Sequence, residues 1–210
     1  MNIYILIIIL FIIHILYLHN NNNLLLNISC PNNIEINSGD LILFRWSNIG
    51  FIHHLYSPFT HVGIIIKLDR LYIIENHGFN DTLKMGYNTT GVNIYPFDER
   101  IKHYNGNVYL LKLNYVLSKK KINKITNFIN IYKKKIIFPK KNQFFFIYKC
   151  IFNGIRDNKY KIVCSEFIYM VLIKCNIIKK RSNNYCNDYY CKTPTEFIYL
   201  PEYKYYGKIK

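Results

Sequence analysis

Residues Ile3 to Leu18 form an almost unbroken run of isoleucine, leucine, phenylalanine and tyrosine, interrupted only at His14. A membrane-crossing helix needs about 20 apolar residues, so this run is slightly short but predicts a hydrophobic N-terminal helix. No lysine or arginine precedes it and no small-residue cleavage site follows, which favours a retained signal anchor over a cleaved signal peptide. His19 to Asn23 is polar and reads as the start of a solvated, Asn-rich linker reaching residue 33. The expected division is therefore an anchor over 1–18, a linker over 19–33 and one folded domain over 34–210, a length that supports a single core.

Within that domain the pattern alternates between short β-branched runs and turn signals. Ser38-Gly39-Asp40 predicts a turn, and Leu41 to Trp46 a strand. His61 to Leu68 and Leu71 to Glu75 predict a hairpin, and Val92 to Tyr95 and Val108 to Leu113 two further strands. Residues 47–60 and 76–91 read as loops, and Pro96 to Arg100 as a turn. From Ser118 to about Lys135, Ile122, Ile125, Phe128, Ile129 and Tyr132 recur at three and four, which predicts an amphipathic helix with a lysine-rich outer face. A second helix is expected from Val163 to Cys175. Thr193-Pro194-Thr195-Glu196 carries the cap, first-turn proline and capping-box glutamate of a third. The layout predicts an α+β domain, a small antiparallel sheet packed with helices.

Composition changes this picture in one respect. The net charge is +16, yet residues 1–105 carry 6 basic against 7 acidic side chains and residues 106–210 carry 22 against 5. No nucleic-acid module accompanies the basic half, so nucleic acid is not the expected partner. A solvated lysine face explains the charge, and an anionic lipid surface is the partner it would suit, given the N-terminal segment. Six cysteines fit either redox compartment; Cys30, Cys175, Cys186 and Cys191 are candidates for pairing in an oxidising one.

The candidate chemistry lies in two segments. Cys164 sits at the expected start of a helix, where N-terminal N–H groups favour a thiolate. His61 opens the hairpin, and pairing it opposite Glu75 leaves Lys67-Leu68-Asp69 as a three-residue loop. In that register both side chains share one face, so the carboxylate can orient the imidazole and the imidazole can serve the thiol. His77 is the rival base and Asn76 the rival orienting group; Cys150 and Cys175 read as structural.

The segments Gly39 to Phe44, Thr60-His61-Val62-Gly63-Ile64, Ile73-Ile74-Glu75, Cys164 to Tyr169 and Thr193 to Phe197 resemble, in that order, the circularly permuted branch of the NlpC/P60 papain-like superfamily. That branch includes YiiX/YaeF-like amidases and related proteins of large DNA viruses, and the Ile-, Asn-, Lys- and Tyr-rich composition suits the viral members. The resemblance implies a permuted papain-like fold with Cys164 as nucleophile, His61 as base and Glu75 as orienting residue. It implies a hydrolase or acyltransferase acting on an amide, peptide or acyl-ester bond, with no metal or organic cofactor. The lysine-rich stretch around 133–149 departs from the family pattern, in the region that would shape the substrate pocket. A membrane-attached enzyme, on a virion or host membrane, is the expected localisation, with a secreted protein as the alternative. The competing reading is a catalytically silent papain-like binding protein that uses its basic half on anionic membrane or host factors.

Overall fold

A computed structural model of the protein describes residues 3–47, 57–78, 90–138, 162–179 and 193–210. Six strands form one antiparallel sheet: β1 (Leu41–Trp46), β2 (His61–Lys67), β3 (Leu71–His77), β4 (Gly91–Pro96), β5 (Gly106–Leu113) and β6 (Tyr203–Lys208), in the order β4-β3-β2-β1-β5-β6. Among the described residues the helices are α1 (Ile3–Leu26), α2 (Phe97–His103), α3 (Lys119–Tyr132) and α4 (Cys164–Lys174), followed by a 3-10 helix, Pro194–Tyr199. The chain is thus α+β.

The central strand shows why its sequence is continuously apolar. Leu41 and Leu43 point into one core and Ile42 and Phe44 into the other, so β1 has no solvent face. The first core packs under α3 and α4, through Ile125, Phe128 and Ile129 of α3 and Phe167, Ile168, Val171 and Leu172 of α4. Each such side chain contributes ~1.5–3 kcal/mol on burial, which anchors α4 to the sheet. The second core, around Ile65, Ile73 and Tyr95, is covered by Phe97 and Ile101 of α2 and by Cys30, Ile34 and Ile36. Asp40, in the turn before β1, is a structural acid: its carboxylate accepts from the backbone N–H of Asn37 at 2.8 Å and of Leu113 at 2.9 Å.

Two expectations are corrected. The polar run His19–Asn23 is helical, because α1 continues to Leu26. There Leu26 packs against the first core, the Leu25 carbonyl accepts from Tyr205 Oη, and Asn23 bonds His19 one turn back. Pro96 to Arg100 is not a turn but leads into α2, whose Asp98 and Glu99 in the first turn and Lys102 and His103 in the last complement the helix dipole. The expected helix start at Thr193 is present, as a 3-10 helix with Thr193 as N-cap and the Glu196 carboxylate accepting from the Thr193 N–H. Strand β6 escaped the sequence reading. Cys186 and Cys191, and most of the lysine-rich 133–149 stretch, lie outside the described residues; Cys30 and Cys175 are free thiols.

The edge strand β6 is not left bare. Cys30 N–H donates to the Lys208 carbonyl and Lys208 N–H to the Ile28 carbonyl, at 2.9 and 2.7 Å. Gly207, with φ of 97°, makes this approach possible, since a Cβ there would lie 2.3 Å from the Ile28 oxygen. By contrast Leu6, Ile7, Ile9 to Ile13, Leu16 and Tyr17 of α1 are exposed. Deleting residues 1–18 is therefore expected to leave a soluble domain with an unchanged melting curve by circular dichroism. Deleting residues 1–30 removes the β6 edge bonds and the Leu26 contact and should cost roughly 2–4 kcal/mol. Aggregation and lost secondary structure in the shorter deletion would place the segment in the core instead.

Candidate active site

The site begins with the hairpin register. Gly63 pairs with Glu75 and Lys67 with Leu71, so the connection is Leu68-Asp69-Arg70, two positions along from the expected pairing of His61 with Glu75. A shift of two preserves the face, because side chains alternate with period 2. His61 and Glu75 are consequently diagonal neighbours, and His61 Nε2 lies 3.0 Å from Glu75 Oε2. The diagonal is open because its crossing point is a glycine. A Cβ on Gly63 would sit 2.7 Å from the Ile73 side chain and 3.0 Å from Glu75 Cγ. Gly63→Ala should therefore displace the carboxylate and cost about 1–3 kcal/mol of stability through overpacking. Thermal unfolding together with thiol-labelling rates checks this; a variant matching the parent in both would mean that Glu75 tolerates the crowding.

Glu75 is fully buried and so is the arginine that faces it. Arg100, from α2, donates through Nε to both Glu75 oxygens at 3.0 and 3.2 Å and through Nη2 to Oε2 at 3.1 Å. Its guanidinium lies against the Phe44 and Tyr104 rings, 5.0 and 5.1 Å from their centroids. Burial alone would raise the Glu75 pKa, but Arg100 and then His61 outweigh it and hold the carboxyl well below its usual range.

Cys164 is the first residue of α4, with Val163 as the N-cap, and is 7 % exposed. Two bonds set this helix entry. The Glu166 carboxylate accepts from the Val163 N–H at 2.9 Å, and the buried Asn76 amide donates to the Ile162 carbonyl at 2.8 Å. The Cys164 side chain interacts with the His61 ring from α4 while Glu75 holds Nε2. Burial would depress the His61 pKa, yet charge and hydrogen-bond interactions with Cys164, and then with Glu75, raise it from 6.5 to about 10. The arrangement can hold a proton on the imidazole beside the sulfur.

Both rivals of this set are engaged elsewhere. His77 Nε2 is bonded to Tyr95 Oη, and Asn76 lies on the opposite sheet face from Glu75, tied to Ile162. Cys175 is fully buried, which pushes its thiol up to about 11 against the opposing pull of Lys124. Arg100 is the site residue that sequence reasoning missed. The charge order of Asp98-Glu99 before Lys102-His103 was the available sign of a helix that could carry it inward.

No protein-family profile matches the chain, and no curated protein is similar to it in sequence. Among solved structures the fold is similar to that of the metalloprotein YiiX from Escherichia coli, with a TM-score of 0.52. The match covers 83 % of this chain and 98 % of YiiX, at 16 % sequence identity, so the likeness is one of fold: an α+β, YiiX-like architecture.

Proposed function

We propose that the protein is a papain-like cysteine hydrolase or acyltransferase of the circularly permuted NlpC/P60 type, housed in residues 34–210. The observation that carries this reading is the chain of contacts from Cys164 through the His61 ring to the buried Glu75 carboxylate. The YiiX-like fold supports it, as does the chain order of His before Cys. The Ile-, Asn-, Lys- and Tyr-rich composition would suit the viral members of that branch.

In the proposed reaction His61 takes the Cys164 proton and the sulfur attacks the carbonyl carbon of an amide, peptide or acyl ester. The carbonyl electrons move to oxygen, and the positive N-terminal end of α4, at which Cys164 sits, stabilises that oxyanion. Collapse expels the amine or alcohol with the proton from His61 and leaves a Cys164 thioester. A water or acceptor hydroxyl, deprotonated by His61, then attacks the thioester and releases the acyl group and the thiol. Glu75 keeps the ring oriented through both halves and stabilises the imidazolium.

YiiX is described as a metalloprotein, but the donors here do not fit a metal. Among the described residues no three His, Cys, Asp or Glu side chains are grouped to hold an ion. Both Glu75 oxygens already accept from Arg100, and Oε2 also meets His61.

Helix α1 spans 24 residues, about 36 Å at 1.5 Å per residue, enough to cross a bilayer. Among the described residues it is the one helix long and apolar enough to do so, and a signal sequence has the same properties. A single-pass anchor, on a virion or host membrane, is the localisation we infer, with secretion as the alternative. The second reading, a silent binding protein, draws on α3, where Lys119, Lys120 and Lys124 are exposed and the first turn holds no acid. Salt-sensitive binding to anionic vesicles by a chain lacking residues 1–18 would support it.

A fluorophosphonate-free thiol probe such as iodoacetamide separates the two. Cys164 should label at neutral pH faster than the other five cysteines, and about tenfold or more slowly in His61→Ala. Equal rates in the two proteins would remove the base from the scheme.

A further inference from the structure

The proposed reaction accounts for three side chains and leaves a fully buried arginine beside them unexplained. An unpaired charge in this position would be costly, and a pair of apolar residues would fill the same volume as well or better. Arg100 does more than neutralise. Its fork engages both Glu75 oxygens, and the Phe44 and Tyr104 rings restrict the guanidinium. Phe44 also lies against the His61 ring, with centroids 5.4 Å apart, so one aromatic side chain touches both the base and the cation.

Building on the hydrolase reading, we propose that Arg100 is a positioning residue of this site, which fixes the Glu75 carboxylate in one orientation and one charge state toward His61. The formal charges then alternate as Arg100 plus, Glu75 minus, His61 plus and Cys164 minus when the site is poised for attack, and sum to zero. Without Arg100 the same state would carry a net negative charge in a buried position, and Glu75 would take up a proton at higher pH. A protonated Glu75 cannot neutralise the imidazolium, so His61 would release its proton more readily and the thiolate would lose its partner.

The groups acting on Glu75 come from two elements, Arg100 of α2 and His61 of β2, with Cys164 of α4 acting through His61. His77, next on the same strand face, is engaged by Tyr95 of β4, and on α2 Asp98 is exposed and Glu99 meets Arg70 at the surface. None of these substitutes for the guanidinium.

The test is the rate of Cys164 carboxamidomethylation by iodoacetamide between pH 4 and 10, read on the Cys164 peptide by mass spectrometry. It is run on the full chain and on Arg100→Met, Arg100→Lys, Glu75→Gln and the Arg100→Met/Glu75→Gln double variant. Arg100→Met should move the acid limb up by about one unit or more and slow labelling at neutral pH about tenfold. Arg100→Lys, which keeps the charge and loses the fork, should shift the limb by less. In the Glu75→Gln background, Arg100→Met should change the rate by less than about threefold, because no carboxylate remains to be held. Lower thermal stability with an unchanged acid limb, or equal effects in both backgrounds, would make Arg100 a structural clamp and overturn the inference. Should Arg100→Met not fold, Arg100→Lys decides: a profile identical to the parent overturns the inference. If Cys164 of the parent labels no faster at pH 6 than in the unfolded chain, the hydrolase reading itself fails, and this inference with it.

Discussion

Cys164→Ser is expected to reduce hydrolysis of a p-nitrophenyl acyl ester to background, a loss of roughly ten-thousand-fold, while the thermal midpoint moves by no more than about 2 °C. The two halves of this expectation have separate causes. Sulfur to oxygen changes almost no volume, and the residue is the first of α4, whose N-cap Val163 and Glu166 contact are untouched by the change. The fold should therefore not register the change. The chemistry should, because an alkoxide is far harder to form than a thiolate and His61 is set up to carry the proton rather than to force its removal. No other described cysteine can replace it. Cys175 is fully buried with its thiol pushed up to about 11, and burial raises Cys30 too, away from the site. Retention of more than about a tenth of the parent rate would place the nucleophile elsewhere, since that residue is the centre of the proposed mechanism.

The sequence made part of this site readable because period-2 alternation is insensitive to even register shifts. His61 and Glu75 share a face whether the hairpin loop is Lys67-Leu68-Asp69 or Leu68-Asp69-Arg70, so the pair could be identified while its exact register was not. Gly63 was the overlooked clue. A glycine between two apolar strand positions marks a close approach, and here the group approaching is the Glu75 side chain. The Cys164 helix was legible because Phe167, Ile168, Val171 and Leu172 repeat at helical spacing and all are buried.

Other parts were hidden for physical reasons. Arg100 belongs to a seven-residue helix that begins after a proline, and a short segment gives too few turns for an apolar period to show. An arginine is also among the last residues expected inside a protein unless paired, and its partner lies 25 positions away in sequence. Strand β6, Tyr203–Lys208, shows no apolar/polar alternation, because its three tyrosines, at 203, 205 and 206, are mixed with lysines and a glycine. Yet Tyr203 packs in the first core and donates to the Gly39 carbonyl at 2.9 Å, joining the C-terminal strand to the turn before β1.

The second large effect expected is on stability against pH, and its sign follows from Glu75 and its partner His61. Glu75 has a folded-state pKa well below its usual 4.5, so the stability it contributes is present above about pH 4.5 and is lost as pH falls through the folded value. His61 has a folded-state pKa near 10 against 6.5, raised first by Cys164, so the proton it holds is one that the thiol takes back on unfolding. The alkaline loss of site-derived stability therefore begins only where an unfolded cysteine ionises, about pH 8.5, and runs toward pH 10. Denaturant unfolding between pH 4 and 10 would show it as a falling midpoint above about pH 8.5. In His61→Ala that alkaline slope should flatten, because the group that releases its proton on unfolding is gone. Glu75→Ala should behave differently, losing about 3–5 kcal/mol even at pH 6, since it strands the Arg100 guanidinium in the second core without its carboxylate. A Glu75→Ala chain as stable as the parent would mean that Arg100 finds another acceptor, and that the ion pair is not what fixes α2 to β3.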